Sequence, residues 1–113
     1  MGGGHSHTQV KGTKNNVSTG SWVDLTAEVT LQKGSWLILS HIVSGTNTSG
    51  MYANKIIAGS EQRNTRCPGT NFGGVVNYLA VDSDGTKKAK LQVYNYDSSA
   101  KSFDYSLDFI RWG

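Results

Sequence analysis

From Trp22 to Leu31 apolar and polar positions alternate without a break, with Val23, Leu25, Ala27, Val29 and Leu31 set against Trp22, Asp24, Thr26, Glu28 and Thr30. Period two over this length predicts a strand with one buried face, because successive side chains of an extended chain point to opposite sides. Lys33-Gly34 ends it as a turn. The next run, 35–43, is apolar on both sides: Trp36, Ile38 and Ile42 on one, Leu37, Leu39 and Val43 on the other. A cluster of Ser, Gly, Thr and Asn from Ser44 to Gly50 breaks it. Strand patterns return at 51–58, 72–82, 88–96 and 103–112, and a weaker, polar one occupies 9–17. A polar loop is expected from Gly59 to Asn71 and a hairpin turn at Ser83-Asp84-Gly85. In the last strand Phe103, Tyr105, Leu107 and Phe109 share a side; Ile110 and Trp112 then change it, which suggests a bulge.

About seven or eight strands at regular spacing, with turn signals between them and no helical periodicity, predict an all-β chain. The expected architecture is an antiparallel β-sandwich, in its jelly-roll version. Residues 9–113 form the head domain and residues 1–8 a flexible or axial leader. A two-sheet sandwich wets one face of each strand, yet four of these strands carry large apolar groups on both. Burying such a side chain is worth roughly 1.5–3 kcal/mol, so a wetted second face would be costly and adhesive. The economical cover is another copy of the same chain, and a homo-oligomer is expected.

Composition agrees with strands and turns. Gly, Ser, Thr and Asn make up 45 of the 113 residues, whereas long helices favour Ala, Leu, Glu and Lys. The net charge of +3 is spread thinly, without the basic stripe and interleaved aromatics of a nucleic-acid binder. Cys67 is the sole cysteine, so no intrachain disulfide forms. No apolar run is long enough to span a membrane, and the first ten residues lack the apolar core of a secretion signal. The chain is therefore expected to leave its cell by another route or to be a piece of a longer one.

Candidate chemistry is sparse. Asp82-Ser83-Asp84-Gly85 could belong to a calcium loop but lacks further ligands, and a hairpin turn accounts for it. The carboxylates form no obvious pair for glycoside hydrolysis. His41 reads as a histidine satisfied by hydrogen bonds, and Cys67, beside Pro68, as a free thiol in a loop. No catalytic residue is expected, and the chain reads as a binding module rather than an enzyme.

Three stretches carry a resemblance. Leu31-Gln-Lys-Gly-Ser-Trp-Leu-Ile-Leu-Ser40 is similar to the start of the central strand in trimeric C1q/TNF-like jelly rolls. The ending from Phe103 to Arg111-Trp112-Gly113 resembles their final strand. Gly3-Gly4-His5-Ser6-His7-Thr8 resembles the Gly-x-His-x-His motifs of phage fibre tips. Together they span about residues 5 to 113. The resemblance implies a homotrimer at the distal end of a tail or head fibre, on a virion or extracellular surface. Its partner would be a glycan or protein receptor on a host surface. It also implies that His5 and His7 of three chains meet on the threefold axis and bind iron or another transition metal. Residues i and i+2 of an extended chain point the same way, which permits this.

Trp36, Tyr94, Tyr96, Phe109 and Trp112 are assigned to the trimer interface, since interfaces favour aromatics. Arg63, Asn64, Arg66 and Tyr52 are assigned to the receptor, as hydrogen-bonding and stacking groups on or near loops; a solvated loop is the plainer reading. Two other functions stay open: a bacterial C1q-like or lectin-like surface domain, and a purely structural trimerisation cap.

Overall fold

The computed structural model describes residues 6–44, 52–67 and 73–113, and every regular element among them is a strand. In chain order these are β1 (Ser6–Val17), β2 (Trp22–Asp24), β3 (Val29–Thr30), β4 (Gly34–Ser44), β5 (Tyr52–Ala58), β6 (Glu61–Cys67), β7 (Val75–Ser83), β8 (Lys88–Asn95) and β9 (Lys101–Arg111). One sheet has the order β1-β9-β4-β7 and the other β2-β8-β5-β6, with β3 also paired to β8. All named pairs are antiparallel. The core lies between the sheets. Ile38 and Ile42 of β4 and Phe103, Leu107 and Phe109 of β9 meet Ile56 of β5 and Leu91 and Val93 of β8, all buried.

Nearly every connection crosses from one sheet to the other; among the described strands only β5 and β6 form a hairpin. Ser83-Asp84-Gly85 is thus not a hairpin turn. It carries the chain from β7 to β8, which lie in different sheets. Asp-Gly marks a tight reversal of the chain but not which strands pair across it. At the next crossing Asn95 is the fastener. Its Nδ2 donates to the carbonyls of Val17 and Ser99, both at 3.0 Å, and its Oδ1 accepts from the Asp97 N–H.

The expected strand over 22–31 is two short ones. The register against β8 moves by two residues between the pairs Asp24↔Gln92 and Val29↔Ala89. An even shift keeps the phase of alternation, so the break leaves no trace in the hydrophobic pattern. Ala27, expected inside, lies in this excursion and is exposed. Thr26 repairs the ladder there: its hydroxyl accepts the Leu91 N–H at 3.1 Å. The bulge expected near Ile110 is absent, and β9 keeps one register with β4 from Phe103 to Arg111. Ile110 simply faces outward. The irregularity lies instead in β1, between Lys14 and Val17, where Asn16 takes φ 56°.

The polar loop expected from Gly59 to Asn71 is largely β6, an edge strand paired with β5 over its whole length. Cys67 ends that strand rather than sitting in a loop. Gly59, at φ 63°, and Ser60 join the two strands, a two-residue connection that wants glycine first. Gly59→Ala is expected to cost about 1–2 kcal/mol, the penalty of a left-handed residue with a Cβ. A lowered midpoint in a thermal melt checks this. The expected breaker at 45–50, the strand start at Met51 and the residues 68–72 lie outside the described part.

Candidate functional site

Strand alternation leaves each sheet one outer face, and the pairings say which side chains share it. On the sheet β1-β9-β4-β7 the outward rows bring Leu37, Leu39 and Val43 of β4 beside Val76, Tyr78 and Ala80 of β7 and Ile110 of β9. Three of these are widely exposed: Val76 at 67%, Tyr78 at 51% and Leu39 at 37%. The guanidinium of Arg63, from the facing sheet, lies over the Tyr78 ring at 4.3 Å. A groove of about 420 Å³ lies here, lined by Leu39, His41, Arg63, Val76, Tyr78 and Asp108. Its polar rim is held by local bonds. His41 Nε2 lies 2.6 Å from the Gly73 carbonyl, and Asp108 Oδ1 lies 2.9 Å from His7 Nε2 and 3.0 Å from the Gln9 amide.

The outer face of the second sheet is built differently. A single cross-strand row runs Trp22 (β2), Tyr94 (β8), Ala53 (β5), Arg66 (β6). Trp22 and Tyr94 pack edge to face at 5.3 Å, and Tyr94 and Tyr96 lie 4.3 Å apart. Cations cap both ends of this aromatic ladder: Lys55 Nζ sits 4.0 Å above the Trp22 ring and the Arg66 guanidinium 3.8 Å above Tyr96. The next row sets Asp24, Gln92, Lys55 and Asn64 side by side. The Gln92 amide donates to Asp24 at 2.7 Å and Lys90 lies 3.2 Å away, and these contacts hold the Asp24 carboxyl below the usual carboxylate range.

The assigned residues therefore separate. Trp36 and Phe109 cannot serve a trimer interface, because both are buried between the sheets of their own chain, Phe109 at 1% exposure. The Trp36 indole N–H is itself satisfied by the Gln32 carbonyl at 2.8 Å. Tyr94 and Tyr96 lie on the second sheet, on the side away from the apolar face. Trp112 borders that apolar face, in a hollow shared with Ala80 and Asp82. Tyr52 is removed from the receptor set: it is 3% exposed and its ring packs on Phe103 at 5.1 Å. Arg63, Asn64 and Arg66 all belong to β6, but Arg63 turns to one side and Asn64 and Arg66 to the other, so no single ligand-facing cluster contains all three. Lys55, Leu39, Val76 and Tyr78 were missed. Their strand phase is readable in the sequence, but their neighbours follow from strand order.

The two histidines assigned to a metal are divided by what the structure describes. His5 lies outside the described residues, and the His7 ring nitrogen is engaged by Asp108. Among the described residues no three His, Cys, Asp or Glu side chains gather to hold an ion. The axial iron of the fibre-tip resemblance would need His5 and His7 from three chains, and of these one chain describes His7 alone.

The chain matches no protein-family model and no curated protein. Among solved structures the vertex protein P5 of PRD1 is similar, with a TM-score of 0.69 over 93% of this chain and 73% of that one, at 13% identity. The fold is a jelly roll. A Bacillus endospore appendage protein (TM-score 0.46, 9% identity, 96% of this chain and 90% of that one) overlaps more loosely. So does a carbohydrate-binding module of Cellvibrio mixtus lichenase 5A, solved with cellotriose (TM-score 0.42, 14% identity, 95% and 87%). The likeness to P5 is one of fold, and it shows the jelly roll without showing the C1q/TNF-like assignment. The jelly roll explains the crossings: strands adjacent in sequence alternate between sheets, and each outer face collects side chains from distant segments.

Proposed function

We propose that this jelly roll is a non-catalytic, homotrimeric head displayed on a virion or other extracellular surface, where it attaches to a carbohydrate of a host surface. The tip of a phage fibre, in the manner of C1q/TNF-like heads, is the setting this reading favours. The fold shared with a virion vertex protein supports the setting. The observation that carries the reading is the apolar outer face of β1-β9-β4-β7, with Val76, Tyr78 and Leu39 open to solvent at its centre. Isolated exposed apolar residues are ordinary, but a contiguous patch on a small domain marks a contact surface. The same chain is its most available cover, since a fibre holds its copies together at high local concentration.

Geometry narrows the assembly. Opposite faces of a sandwich stacked head to tail build an open column, because the rotation relating neighbours does not close. A closed trimer therefore brings the apolar face and its flanks, including Trp112, toward the axis and leaves the second sheet outside. Tyr94 and Tyr96 then belong to the exposed surface.

The test is self-association. The chain is expected to sediment as a trimer at micromolar concentration. Val76→Lys with Tyr78→Asp is expected to weaken that association by about a hundredfold or more, as loss of central interface anchors does. The core is untouched, so the variant should remain folded. A wild-type chain that stays monomeric would sink the reading. The structural-cap alternative shares the assembly but binds no glycan, and a glycan-binding screen of the trimer separates the two.

A further inference from the structure

The net charge of +3 looks diffuse along the chain, but the fold sorts it. The outward rows of β2, β8, β5 and β6 carry Lys55, Arg66, Lys88 and Lys90 against the single carboxylate of Asp24, which Gln92 and Lys90 already hold. The outward rows of the other sheet carry Asp82, Asp104 and Asp108 against Lys11, with the Arg63 guanidinium reaching over Tyr78 from β6. One side of the molecule is cationic and aromatic; the other is apolar and acidic.

We infer that the outer face of β2-β8-β5-β6 is a binding surface for an acidic polysaccharide, with sugar rings lying along Trp22, Tyr94 and Tyr96 and their anionic groups met by Lys55 and Arg66. This rests on reading the domain as an attachment head and names the face and the ligand class. Aromatic side chains offer the apolar C–H faces of sugars a surface with little conformational entropy to lose. Among the described residues Lys55 makes no ion pair; its ammonium is held over Trp22 alone. A carboxylate or sulfate beside that ring would therefore meet a cation already placed for it. Single-stranded nucleic acid, whose bases would stack on the same rings, is the competitor to exclude. In the trimer this face points outward, so the assembly presents three copies of it to a polymer.

The test uses the full chain and short ligands, so that avidity does not mix with affinity: an oligogalacturonate, a sulfated oligosaccharide, a neutral malto-oligosaccharide and an oligothymidylate. Titration calorimetry is expected to show binding to one or both acidic sugars and none to the neutral one, with affinity falling as salt is raised. Lys55→Glu and Tyr96→Ala are each expected to weaken it by about tenfold or more, while Lys55→Arg retains it. Melting temperature and sedimentation should stay as in the wild type. Equal binding of neutral and acidic sugars, tighter binding of the oligothymidylate, or dissociation of the trimer by Lys55→Glu would overturn the inference. If a glycan binds but Lys55→Glu leaves its affinity unchanged, this face is wrong and the attachment reading stands. If no glycan binds at all, both fall.

Discussion

Phe109→Ala is expected to lower the stability of the domain by about 3–5 kcal/mol, the range for truncating a large aromatic in a packed core. Phe109 is 1% exposed on the inner side of β9, between Thr8 of β1 and Ile38 of β4 in the ladder. Removing the ring leaves a void that neighbours locked in two ladders cannot close. A domain of this size is stable by roughly 5–15 kcal/mol, so the loss is a large fraction of the whole. Urea denaturation measures it through the midpoint, with the slope unchanged. The same loss should appear in the Val76→Lys, Tyr78→Asp variant, because Phe109 faces the core, on the other side of the sheet from those two residues. A loss seen only in the associated wild type would instead return Phe109 to the subunit interface.

That experiment addresses the point where sequence and structure part. Alternation tells which residues of a strand share a side, but not which side is inward when both are apolar. Trp36 and Ile38 share a side of β4 with Ile42, and Leu37 and Leu39 share the other; the preference of interfaces for aromatics suggested the tryptophan. Burial reverses that choice. The strands β4, β7, β8 and β9 were legible because each carries enough Val, Ile, Leu or aromatic residues at period two. β6 was not. Glu61-Gln-Arg-Asn-Thr-Arg-Cys67 is an edge strand whose side chains are mostly exposed, so little in it obeys a hydrophobic pattern. The one available signal was Gly59-Ser60 directly after an apolar run. The cationic face was invisible for a different reason. Trp22, Lys55, Arg66 and Tyr94 come from four strands, and no local pattern says that they form adjacent rows.

The other large effect concerns polar groups in the same core. Asn54, on β5, is wholly buried, and so, nearly, are Ser40 of β4 and Asn77 of β7. They form one network: Ser40 Oγ donates to Asn54 Oδ1 at 2.7 Å, and Asn54 Nδ2 donates to the Val75 carbonyl at 3.2 Å. Asn77 Nδ2 donates to the carbonyls of Arg63 at 2.7 Å and Asn54 at 3.2 Å, and Thr65 Oγ1 donates to Asn77 Oδ1 at 3.1 Å. These bonds join β7 of one sheet to β5 and β6 of the other, where hydrophobic contact alone would not set how the sheets align. Asn54→Leu keeps the volume but strips partners from Ser40 and the Val75 carbonyl. Each buried group left unsatisfied costs about 1–3 kcal/mol, so a total of about 2–6 kcal/mol is expected in a urea melt. The asymmetry of that cost supplies the check. Adding Ser40→Ala to Asn54→Leu removes one stranded hydroxyl, so the double variant should lose less than the sum of the two single losses. Strict additivity would mean that the network is not coupled. The network also ties together the two faces proposed for self-association and for glycan binding, since β7 carries Val76 and Tyr78 on one and β5 and β6 carry Lys55 and Arg66 on the other. Loosening it should therefore weaken self-association and glycan binding in the same variant, although Asn54 reaches neither surface.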